Sequence, residues 1–186
     1  MSLFDGKPRD FFRNLLGEWL GRRHVSVSKK AHTYVTNVLT RSAFDQQAST
    51  HLLKEPLGLT YLQASVAAAR LRLALLRQVG DNALLLAGWW REHLLDVRSG
   101  VDVNYYTQIG QMAYRGIPKP LFDELAQKFE ALTDVLMRME LSCAPRTADE
   151  DVRLYGLWLR TGETALAEAL TVRRFILSGN PNSRPS

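Results

Sequence analysis

One cysteine, Cys143, is all the thiol chemistry this chain has. A lone cysteine excludes an internal disulfide and any multi-cysteine metal site, and it suits a reducing compartment. Long hydrophobic runs are missing too. Residues 83–90 form an uncharged apolar stretch, but it falls far short of the roughly 18 residues that a spanning helix needs. The start, MSLFDGKPRDFF, mixes charges of both signs before any apolar run and does not read as a secretory signal. The expectation is a cytoplasmic protein with no transmembrane segment.

Catalytic signatures are also wanting. No Gly-x-Ser-x-Gly, no phosphate loop and no dinucleotide fingerprint occurs, and no stretch alternates as a strand would. Neither Glu-x-x-His nor His-Glu-x-x-His is present among the four histidines. His93, beside Glu92, reads as a helix-end or surface group rather than a haem ligand. Cys143 has apolar neighbours, no histidine near it in sequence and a proline two residues on, so it reads as inert. No catalytic residue, no metal site and no cofactor is expected.

What the chain does have is helix punctuation. Ser28 precedes a segment in which Ala31, Tyr34, Val35, Val38 and Leu39 share one helical face. Thr60 and Gln63 have the spacing of a capping box, and Gly80-Asp81 reads as a stop followed by a new N-cap. That predicts a hairpin of two helices, 61–79 against 82–96. Gly100 and Asp102 repeat the device and open a helix running to about Arg115. Pro120 suits a first helical position, followed by one amphipathic helix through LFDELAQKFEALTDVLMRME. Thr147 and Glu150 form a second capping box, Gly162 marks a break, and a last helix runs to about Leu177. The tail, 179–186, has the composition of a disordered segment. The fold predicted is all-α: a single domain over 1–178, a bundle of seven or eight helices. Its central helix lies near 82–95, because a segment apolar on every side must be wrapped by others.

Glycine inside a helix costs about 1 kcal/mol relative to alanine. Gly88 and Gly110 therefore predict close approach of neighbouring helices, with the two glycines placed where their own helices cross. A sharper alternative is a pocket beside these two glycines lined by Trp90, Tyr106 and Tyr114, taking a small hydrophobic or aromatic ligand. Buried tyrosine hydroxyls there need partners, for which Asn104, Gln108 and nearby acids are candidates.

Charge is uneven. Residues 1–30 hold seven Lys or Arg against three acids, and 171–186 hold three Arg and no acid, so the two ends carry +7 of a net +5 and the middle −2. The N-terminal segment combines an apolar face (Phe11, Phe12, Leu15, Leu16, Trp19, Leu20) with Arg9, Arg13, Arg22 and Arg23. Phe11, Phe12, Arg13, Leu16, Trp19, Arg22 and Arg23 are thus the candidate partner-binding residues, in a partner's groove or at a membrane interface.

Arg77, Gly80, Asp81, Leu84 and Gly88, then Val103, Tyr105, Tyr106, Gly110, Ala113 and Tyr114, then LFDELAQKF, form a pattern across roughly residues 60–137. In it the chain resembles a family of bacterial all-helical cytoplasmic proteins with no assigned activity. The resemblance implies a bacterial, cytoplasmic, helical protein and supplies no site residue. The functional expectation is a non-enzymatic interaction or regulatory protein, a homodimer acting through protein–protein contacts. Nucleic-acid association through the basic termini is the first alternative, and a ligand carrier the second.

Overall fold

The computed structural model describes residues 7–44, 56–91, 94 and 103–173. Every regular element among them is helical, nine α-helices and one π-helical segment rather than seven or eight helices. They are α1 (Pro8–Arg22), α2 (Lys29–Phe44), α3 (Leu57–Val66), α4 (Ala69–Leu84), the π segment (Leu85–Trp89), α5 (Val103–Arg115), α6 (Pro120–Gln127), α7 (Phe129–Cys143), α8 (Ala148–Thr161) and α9 (Thr164–Val172).

Several boundaries follow from local chemistry. The Ala31 N–H donates to Ser28 Oγ, and the Glu150 N–H donates to Thr147 Oγ1, so both hydroxyls satisfy orphan donors at helix starts. Pro120 sits in the first turn of α6. Gly162 closes α8 in the left-handed region at φ 69°, which only glycine adopts without cost.

Two predicted boundaries are overturned. Gly80-Asp81 does not end a helix: α4 runs unbroken through both, and the actual break falls at Ala67 and Ala68, whose backbones are extended. The hairpin is therefore α3 against α4, and Thr60 and Gln63 lie inside α3 instead of capping anything. Tertiary contacts decide this. Gly80 and Asp81 are both buried inside α4, about one turn before it passes into the π segment, and the glycine faces the Tyr114 ring. The second correction concerns the long amphipathic helix, which is interrupted at Lys128 (φ −101°, ψ 13°) and becomes α6 and α7. Gly100 and Asp102 lie outside the described residues.

The apolar stretch is buried as expected. Ala83, Leu84, Leu86 and Ala87 are fully enclosed, and Leu85 is 5% exposed. It is not one α-helix, however. Beyond Leu84 the chain widens by one residue per turn, and the Trp90 N–H donates to Leu85 O at 2.8 Å. Gly88 in this segment lies against α7, where an added Cβ would stand 2.8 Å from Leu136 Cβ and 3.2 Å from Thr133 Cα. Gly110 in α5 meets Phe129 and Ala83 as closely. Close helix approach thus accounts for both glycines, but each meets other partners (Leu136 and Thr133, Phe129 and Ala83) and the two do not sit together at a crossing of their own helices.

α7 is the element common to two cores. Phe129, Leu132, Val135, Leu136 and Met139 join the main core, built with α1, α2, α4 and α5. Met137 and Leu141 turn the other way, to a smaller core with Leu154, Leu157, Trp158, Leu166 and Leu170 of α8 and α9.

Candidate functional site

The residues singled out from sequence do not share one surface. Tyr114 is fully buried, Tyr106 nearly so, and Trp90 is half-buried. Gly88 and Gly110 have their free sides occupied by Leu136 and Phe129, whose side chains come from α7. The Tyr114 hydroxyl finds its partner in neither Asn104 nor Gln108 but in Asp81, at 2.9 Å.

Asp81 is the buried centre of a polar cluster joining α2, α4 and α5. Its Oδ1 accepts from Tyr34 (2.6 Å) and Tyr114 (2.9 Å), and its Oδ2 accepts from Arg41 (3.1 Å). Arg77 donates to the Tyr34 hydroxyl at 2.9 Å and lies over that ring. Burial pushes the Asp81 carboxyl above its ordinary value, against the pull of two hydroxyl donors and two guanidinium groups. Both tyrosines are likewise pushed up, by burial first and the adjacent carboxylate second. Both tyrosine hydroxyls and both Asp81 oxygens are engaged within the cluster, which makes it a clamp between helices. A mid-helix aspartate beside a glycine looks like a cap in sequence; only the partner helices reveal its role.

The N-terminal helix spends its apolar face on its own chain. Phe12, Leu16 and Leu20 are buried, and Phe11 and Trp19 pack half-buried against the same core. Its arginines are largely paired: Arg13 with Asp10, Arg22 with Glu18, and Arg23 with Asp134. Exposed ion pairs of this kind contribute little, about 0–1 kcal/mol each, but they mute the positive surface.

An exposed apolar face lies elsewhere, on α3. Residues 56–69, PLGLTYLQASVAAA, contain no charge at all. Leu57 and Ala64 turn inward, while Leu59, Leu62 and Val66 are 53%, 63% and 87% exposed. Their i, i+3, i+7 spacing sets them along one helical stripe. Tyr105 of α5, itself exposed, brings its hydroxyl beside Gly58 and extends the stripe. Sequence spacing places Leu62 and Val66 on one apolar stripe with Ala69, Leu73 and Leu76 of a single helix, but the break at Ala67–Ala68 separates them, and Leu62 and Val66 face solvent while Leu76 is buried.

Among the described residues, no group of three or more histidine, cysteine or acidic side chains is placed to hold a metal ion. No helix among them is long and apolar enough to cross a membrane. The Cys143 thiol is half-buried, and burial raises its pKa, which keeps it protonated and unreactive. His93 lies outside the described residues. No family model, curated protein or solved structure matches this chain.

Proposed function

We propose that this chain is a non-enzymatic interaction protein that acts through self-association, with the α3 stripe as its contact face. The observation that carries the reading is a solvent-facing row of Leu59, Leu62 and Val66 in an uncharged segment. Scattered exposed apolar residues are ordinary, whereas a contiguous row marks an interaction surface. Charge argues for a second copy as the occupant. An uncharged stripe meets itself across a two-fold axis without like-charge contact. Leucine and valine at these spacings interdigitate well between antiparallel helices.

Light scattering and sedimentation across a range of protein concentrations test this. The unaltered chain is expected to dimerise. Leu62→Glu with Val66→Arg is expected to give a monomer with unchanged circular dichroism, because both side chains point into solvent. A monomer at every concentration, or a dimer that survives the double substitution, defeats the proposal. Binding to nucleic acid through the basic ends is the runner-up. It predicts DNA or RNA affinity that falls steeply with salt, and the pairing of Arg13, Arg22 and Arg23 with acids weakens it.

A further inference from the structure

A cleft of about 180 Å³ opens between α1, α7 and α9, on residues that neither the clamp nor the α3 stripe uses. Its apolar wall is made by Trp19, Leu141, Ala165, Ala169 and Val172. Its polar lining is strongly biased to one residue type: Arg22, Arg138, Arg146 and Arg173, with Glu168 the one acid on it.

The four arginines are not equivalent. Both terminal nitrogens of Arg173 are engaged: its Nη1 donates to Pro145 O and Asp151, and its Nη2 donates to Leu141 O and Ala144 O. It therefore fixes the turn that follows α7 and, with it, the position of Arg146. Arg138 is 3% exposed, with Nε held by Asp134 and Nη1 by Glu168; no protein acceptor among the described residues meets its Nη2. Arg22 pairs with Glu18 and lies over the Trp19 ring, 5.0 Å from the ring centre. Arg146 is exposed and has no ion pair among the described residues. A buried guanidinium held in place by acids, an exposed one and an aromatic wall on the same lining define an amphiphilic site.

We infer that this cleft binds a small carboxylate with a compact apolar body. The carboxylate would accept from Arg138 Nη2 and from Arg146, and the body would lie against Trp19 and the aliphatic wall. The volume is that of roughly six water molecules, which suits a compact body of about six carbons within the cleft. Ordinary phosphate lacks the apolar part, and a neutral alcohol of the same shape lacks the charge.

Nitrogen-15 NMR of the full chain, read at the Trp19 indole N–H and the Arg138 Nε–H, tests this with benzoate, benzyl alcohol and inorganic phosphate. Benzoate is expected to shift both signals and to saturate at roughly 1–10 mM, in keeping with the size of so small a ligand. Benzyl alcohol and phosphate are expected to bind at least about tenfold more weakly. Arg146→Ala touches no structural contact and is expected to weaken benzoate at least about fivefold while leaving the melting temperature unchanged. Ala169→Leu, which fills the wall, is expected to abolish the shifts. The inference fails if benzoate does not saturate, if the alcohol matches the acid, or if either variant binds benzoate as the unaltered chain does.

Discussion

Glu140 is a carboxylate in the wrong place. It projects from α7 near the first turn of α8; its Oε2 is buried with no hydrogen-bond partner, and Glu150 adds a like charge. Arg173 opposes these effects but gives its hydrogen bonds to Asp151 and three carbonyls. Burial, first, and the Glu150 charge, second, push the carboxyl from 4.5 up to about 7. The folded state therefore holds this proton more tightly than the unfolded state does. The stability it contributes is complete below the unfolded value, 4.5, and is lost as pH rises through about 7. With about 1.4 kcal/mol for each pH unit of displacement, this group alone costs the fold about 2–3 kcal/mol between about pH 5 and about pH 8. Glu140→Gln removes the titration and keeps the shape. Any cost of burying the amide is the same at both pH values, so it cancels in the difference. Urea unfolding at the two values is expected to show that the variant gains about 2–3 kcal/mol on the unaltered chain as pH rises. A difference between the two proteins that does not change with pH would show that Glu140 does not titrate as described. So would a difference that moves in the opposite direction.

Two further substitutions probe the packing. Gly110→Ala should gain about 1 kcal/mol from helix propensity. The new Cβ, however, would stand 2.2 Å from Phe129 Cζ in a fully buried ring. Overpacking of about 1–3 kcal/mol is expected to prevail and lower the urea midpoint, whereas Gly156→Ala in α8, with nothing within 4 Å, is expected to raise it. Tyr114→Phe keeps the ring and deletes one of the two hydroxyl donors to Asp81 Oδ1. A loss of about 1.5–3 kcal/mol is expected in denaturant unfolding near neutral pH, and a neutral result would show that Tyr34 and the two arginines suffice.

The all-α class was legible in the sequence because helix signals are local. Ser28, Thr147, Pro120 and Gly162 act within one turn of themselves, and each marks the boundary that its chemistry dictates. Burial of residues 83–88 was legible for a related reason: an apolar segment with no polar side has no face to show to water. The glycines at 88 and 110 correctly announced close contacts, though not with which side chains.

Where the reading failed, long-range contacts overrode local preference. Gly80-Asp81 has the local form of a helix stop, yet the Tyr34 and Tyr114 hydroxyls give Asp81 better partners than an N-cap would. The Ala67–Ala68 break and the interruption at Lys128 carry no punctuating residue. The cleft draws its lining from residues 19 to 173, whose neighbourhood exists only once α1, α7 and α9 meet. Helix type and helix ends thus belonged to the sequence, since a turn of helix is stabilised by its own neighbours. Which carboxylates are buried, which arginines stay free and which apolar row faces water were decided by tertiary structure, since those depend on residues far apart along the chain.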